Sequence, residues 1–216
     1  CMWAGMAVAE RMGDYLRARD AAAVVAYAED LELDMAHATL DMPTSCAVYK
    51  AQLAAYLLLR DLDAARFLWK RLPPASKAAD AELAAVWAVG KCMWTGDRAG
   101  AIRACGGAGA AWSELLAPPM EQLRAALRAH VVALVGASYS AIAIADASAM
   151  LDLPHDGVLA LAAEHGWAVV TAQPGQPAGS GGGTLQPKPL AKADGARQDL
   201  GIGQLAQLTH LIAQLD

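Results

Sequence analysis

With 216 residues, a formal net charge of −5, 56% apolar and only 18% charged residues, the chain can bury one large core or two small ones. Its acidic balance offers no electrostatic grip on nucleic acid or on an anionic membrane surface. Much of the apolar excess is alanine, and a single Phe argues against an all-β fold, so closely packed helices are the expected class.

The first elements predicted are two antiparallel helices over 7–19 and 21–34, their apolar period blurred by alanine. From Thr44 the pattern sharpens. Val48, Leu53, Tyr56, Leu57 and Leu59 belong to one helix, Asp61 caps the next, and Ala65, Leu68, Trp69 and Leu72 share a face. The stretch "FLWKRLPPASK" (67–77) concentrates basic and aromatic residues but reads as a corner. Trp69 faces the core there, and Lys70 and Arg71 lie beside the negative end of the helix dipole. Pro73 takes Leu72 out of helical geometry, and Pro74 fits the first turn of the next helix.

A second unit places Leu83, Trp87, Gly90 and Trp94 on one stripe, with Gly96 as a left-handed cap and Asp97 capping a helix that carries Ile102. "LAAYLLLRDLDAARFLW" and "LAAVWAVGKCMWTGDRAGAI" thus both run helix, tight turn at Asp, helix. Their offset of about 30 to 34 residues is that of tetratricopeptide-like helical repeats. "CGGAGAAW" breaks the pattern, and "APPMEQLRAALRAHVVALV" begins a long helix with Pro118 or Pro119 in its first turn. Met120, Leu123, Leu127, Val131 and Leu134 form its expected buried stripe.

From Tyr139 the period changes to two. "YSAIAIA" alternates as a strand with Ile142 and Ile144 on one side, Asp146 caps "ASAMLDL", Pro154 stops it, and "HDGVLALAAEHG" is a helix closed by Gly166. "WAVVT" alternates again, with Trp167, Val169 and Thr171 together, and "TLQPKP" returns beyond the tip "QPGQPAGSGGG" as the other half of a hairpin. Strand, helix, helix, strand, wing, strand is the order of a winged helix. The chain closes with a Pro, Gly and Lys linker and "GQLAQLTHLIAQLD", where Leu205, Leu208, Ile212 and Leu215 follow the spacing of a helical seam. So short a helix on a tether needs a partner surface. The expected organisation is a helical-repeat domain at 1–138, a winged-helix subdomain at 139–190, a linker at 191–197 and a terminal helix at 198–216.

Chemistry is sparse. Cys1, Cys46, Cys92 and Cys105 form no C-x-x-C pair and have no histidine at finger-like spacing, so reduced thiols are expected and no metal or disulfide framework. Ser138, Asp146 and His130 or His155 supply the residue types of a hydrolytic triad, but nothing places a nucleophile at an elbow or provides an oxyanion hole. No H-E-x-x-H exists, and the glycines of "CGGAGA" and "GSGGG" lack the Lys and Ser/Thr of a phosphate cradle. A winged helix that reads DNA needs Arg, Lys, Asn or Gln on its second helix. This one carries Asp156 and Glu164 instead. Trp69, Trp87 and Trp94 are expected as core between repeats, and Arg60, Arg66, Lys70, Arg71 and Lys77 as a mixed, solvated surface among Asp61, Asp63 and Asp80. The N-terminal segment becomes charged too early for a signal-peptide core, and no stretch matches a membrane span. A soluble protein of cytoplasm and nucleus is expected.

"AARFLWKRLPPASKAADAELAAVWAVGKCMW" and "YSAIAIADASAMLDLPHDGVLALAAEHGW" closely resemble one family. It groups the smallest subunit of the COP-nine signalosome with a proteasome-lid subunit and the k subunit of initiation factor three. The likeness runs from about Thr44 to Trp167 and resumes in the final helix, and its first motif favours the signalosome branch. The resemblance implies a PCI fold, helical repeats capped by a winged helix, and a last helix that enters a shared helical bundle. It further implies a non-enzymatic scaffold, without cofactor, in an assembly that removes Nedd8 from cullins through another subunit. The expected partner interface comprises Val169, Val170 and Leu185 at a sheet edge aligned with another PCI subunit, and Leu205, Leu208, Ile212 and Leu215 in the bundle helix.

Overall fold

A computed structural model describes residues 2–33, 41–107, 111–170 and 183–188. The helices are α1 (Met2–Arg17), α2 (Ala21–Leu33), α3 (Met42–Leu59), α4 (Leu62–Arg71), α5 (Pro74–Ala79), α6 (Ala81–Thr95), α7 (Arg98–Cys105), α8 (Ala117–Ser138), α9 (Ile144–Leu151) and α10 (His155–Glu164). Among the described residues, three short strands, β1 (Ile142–Ala143), β2 (Ala168–Val170) and β3 (Thr184–Gln186), accompany these helices in a mostly helical fold.

Helix α3 is the axis of the helical part. Val48, Ala51 and Ala55 on one side pack with Met12, Leu16, Val24 and Ala28 of α1 and α2. Leu53, Tyr56 and Leu57 on the other side join a cluster that runs through α4, α6, α7 and α8 as far as Leu185. A helix buried on both flanks has no polar face, which is why its hydrophobic period is faint. Its one fully buried amide, Gln52, donates from Nε2 to the Tyr56 hydroxyl at 3.4 Å, and that hydroxyl donates to Glu29 Oε1 at 2.8 Å.

Two turns repeat one design. Arg60 closes α3 in the left-handed region (φ 61°, ψ 22°), and the Asp61 carboxylate accepts the Ala64 N–H at 2.9 Å to start α4. Gly96 closes α6 likewise (φ 76°, ψ 9°), and Asp97 accepts the Gly100 N–H at 2.8 Å to start α7. Such caps satisfy backbone groups that a helix end leaves unpaired. The corner at 67–77 also forms as expected. Leu72 leaves helical geometry (φ −57°, ψ 136°), and Pro74 opens α5.

Lys50 of α3 pins the start of α6. Its ammonium lies 3.0 Å from Asp80 Oδ2 and 2.8 Å from Glu82 Oε2. Asp80 Oδ1 meanwhile caps α6 by accepting the N–H groups of Glu82 and Leu83, and Glu82 Oε1 accepts the Ser113 N–H.

Several expectations change. Trp94 is not core but 48% exposed, because the buried line of α6 (Leu83, Val86, Val89, Gly90) ends one turn earlier. On α8, Val132 and Val135 are buried and Leu134 only half-buried. The strand at "YSAIAIA" is two residues long. Ile144 already opens α9, so Ala143 is the N-cap and Asp146 contributes only a charge to the first turn. Asp152 in a left-handed cap (φ 50°) ends α9, and Pro154 becomes the N-cap of α10. Gly166 (φ 65°) closes the α10 end as anticipated.

The sheet order is β1-β3-β2, antiparallel throughout, with Leu185 opposite Ile142 on one side and Val169 on the other. Leu185 is therefore no edge residue. It sits in the central strand, fully buried, because only the middle strand of three can be covered on a face and paired on both sides. Thr171 and the terminal-helix residues Leu205, Leu208, Ile212 and Leu215 lie outside the described residues.

Candidate partner-contact site

The sheet edge at β2 is placed by what precedes it. The turn at His165 and Gly166 sends Trp167 inward to 5% exposure, its backbone N–H bonded to Ala162 O at 2.8 Å. With that anchor fixed, Ala168, Val169 and Val170 project beyond the core, and all three are exposed. Val169 and Val170 point to opposite faces, as strand geometry requires, yet keep 43% and 46% of their surface open. β2 bonds to β3 on one side, and among the described residues no strand lies on the other. Unpaired backbone groups flanked by exposed β-branched side chains are what an incoming strand needs. Of the three sheet residues expected at this interface, Val169 and Val170 lie together on the edge strand, and Leu185 lies opposite Val169 in the central strand.

A second surface lies over α4, α5 and α6. Trp69 and Trp87 stack at 5.3 Å with planes 11° apart, and Lys77 Nζ lies 5.2 Å from the Trp69 ring centre. The Arg66 guanidinium covers Trp94 at 5.0 Å, and Lys70 lies 6.0 Å from the Phe67 ring. Such contacts are worth about 0.5–1 kcal/mol each when exposed. Asp61 and Asp80, expected to neutralise this surface, are engaged as helix caps, and Arg71 turns away to Glu32 at 2.7 Å. Local sequence spacing does not reveal that division of labour, because Glu32 is brought in by the α2 packing.

The hydrolytic residue types are not assembled. Ser138 and His155 are exposed on different helices, Asp146 is exposed on α9, and His130 is half-buried on α8. No group of His, Cys, Asp and Glu suited to a metal ion exists among the described residues. No described helix is long and apolar enough to cross a membrane.

Residues 43–178 match the model of the CSN8/PSMD8/EIF3K family. The "COP9 signalosome complex subunit 8" of Xenopus tropicalis is 40% identical over 123 residues, which is 56% of this chain and 61% of that protein's length. Its namesake in Danio rerio is 37% identical over 142 residues, covering 64% of this chain and 73% of the relative. For that of Xenopus laevis the figures are 35% over 171 residues, 78% and 80%.

Proposed function

The chain belongs to the CSN8/PSMD8/EIF3K family, and on that footing we propose that it is a non-catalytic scaffold subunit of the COP9 signalosome. In this reading the antiparallel helices α3 to α8 are a short tetratricopeptide-like stack, and 139–190 is the winged helix of a PCI domain. That domain aligns its β2 edge with the sheet of another PCI subunit. The terminal helix buries Leu205, Leu208, Ile212 and Leu215 in a bundle of partner helices. The assembled complex removes Nedd8 from cullin-RING ubiquitin ligases through a different subunit, in the cytoplasm and nucleus.

The observation that carries the proposal is the open β2 edge, with Val169 and Val170 exposed on both faces, in a chain whose named relatives are signalosome subunits. The tagged chain expressed in cells is expected to co-purify with the remaining signalosome subunits and with deneddylation activity. Recovery of proteasome-lid or initiation-factor subunits in their place would reassign it to another branch of the family. Leu208→Glu with Ile212→Glu is expected to abolish incorporation while leaving the helical part folded. Normal stoichiometry of that double variant in the complex would refute the bundle seam.

A further inference from the structure

The two equivalent turns, Arg60–Asp61 and Gly96–Asp97, meet against α8 around a cavity of about 140 Å³. At about 30 Å³ per water, it has room for a tetrahedral oxyanion. Its titratable lining is entirely basic: Arg60 from the first turn, Arg98 from the second and His130 from α8, beside apolar walls that include Leu62 and Leu127. The carboxylates next in sequence, Asp61 and Asp97, are turned to the N-termini of α4 and α7 and do not line it. Among the described residues neither Arg60 nor Arg98 forms an ion pair.

The two turns differ in one residue. Arg60 adopts a left-handed conformation (φ 61°) at the position where the matching turn has glycine. That conformation is unfavourable for a side-chain-bearing residue. Arg19 and Asp152 adopt the same region where α1 and α9 end, so the conformation itself is that of a helix end. What Arg60 gives the first turn that glycine does not is a guanidinium at the cavity mouth.

We propose that this cavity binds a small tetrahedral dianion of the phosphate class. Two guanidinium forks match oxyanion geometry, and both arginines are exposed and so accessible to an ion from solvent. Burial pushes the His130 imidazole below its ordinary range, and the charges of Arg60 and Arg98 push it the same way. A bound dianion opposes those charges, so protonation of His130 and anion binding favour each other.

Inorganic phosphate and sulfate titrated onto the full chain at low ionic strength, followed by amide chemical shifts, test the site. Saturable shifts centred on Gly96, Asp97 and Arg98 are expected. Arg98→Ser and Arg60→Gly should each weaken binding at least about fivefold, and neither change removes a packed side chain. Sulfate keeps its charge between about pH 8 and 5, the range in which histidine titrates. Its affinity should rise over that range in the parent and stay flat in His130→Gln. Shifts that do not saturate, that map elsewhere, or that survive both arginine changes overturn the proposal, as does a flat pH profile in the parent. A serine-phosphorylated peptide and inorganic phosphate used in parallel distinguish a partner's modified side chain from the free ion as the source.

Discussion

The Lys50 ammonium lies 2.8 Å from Glu82 Oε2 and joins the middle of α3 to the first turn of α6. The same ammonium holds Asp80 at 3.0 Å, and these three side chains keep only 13–19% of their surface exposed. Burial raises the carboxylates of Asp80 and Glu82, but hydrogen bonds from Lys50 and from nearby N–H groups, together with the Lys50 charge, outweigh it and hold both below their ordinary range. A depressed carboxylate stabilises the fold above its unfolded-state pKa, near 4, and the contribution is lost as pH falls through the lower folded value.

Lys50→Met is accordingly expected to cost about 2–3 kcal/mol at neutral pH, because two carboxylates keep their burial and lose their cation. Urea unfolding at pH 7 and between pH 4 and 2 checks this. The parent should lose stability steeply over the acidic range, and the variant much less. Equal acid slopes would show that the pair is not coupled to folding.

Arg60→Gly is expected to raise stability by about 1 kcal/mol, since glycine adopts the left-handed cap without strain. The midpoint of urea denaturation reads it directly. The matching change at the other turn, Gly96→Ala, should lower stability by a similar amount. An added Cβ at Gly96 would meet no atom within 4 Å, so any loss there reports backbone conformation alone.

Leu185→Ala is expected to cost about 3 kcal/mol, as for other fully buried leucines. Val169→Thr, at an exposed position directly opposite in the sheet, should change stability by less than about 0.5 kcal/mol. Thermal unfolding of the two variants separates a residue that holds the sheet from one that is free to meet a partner.

Cys105 is expected to resist alkylation in the native state. Burial pushes its thiol up to about 12, so almost no thiolate exists at neutral pH. Mass mapping after iodoacetamide treatment should find Cys92, only partly buried, modified before Cys105. Rapid native modification of Cys105 would mean that the α7 end opens readily.

The features legible in the sequence are those fixed by neighbours along the chain. Asp61 and Asp97 cap the helices anticipated, Gly96 and Gly166 adopt left-handed turns, and the double proline makes its corner. Each depends on chemistry within about four residues. What stayed hidden depends on contacts between distant segments. Trp94 continues a helical stripe in sequence, but α6 outruns the surface it packs on. A strand pattern at "YSAIAIA" holds for two residues because Ile144, though buried, turns into α9. For the candidate edge, alternation in "WAVVT" anticipated a strand, and β2 forms over Ala168–Val170. It did not reveal that β3 would pair with β1 as well and so withdraw Leu185 from the surface.

The central position of β3 has a bearing on the order in which the protein is made. β1, α9, α10 and β2 all leave the ribosome before the strand that joins them, and β1 and β2 have no bond to each other. Until Leu185 arrives, Ile142 and Val169 lack their cross-strand neighbour, and closing the intervening loop costs entropy before any pairing repays it. The sheet is therefore completed last among the described elements, by a residue that both sides await. Any nascent or clipped chain ending before that strand would leave both β1 and β2 without the neighbour they pair with.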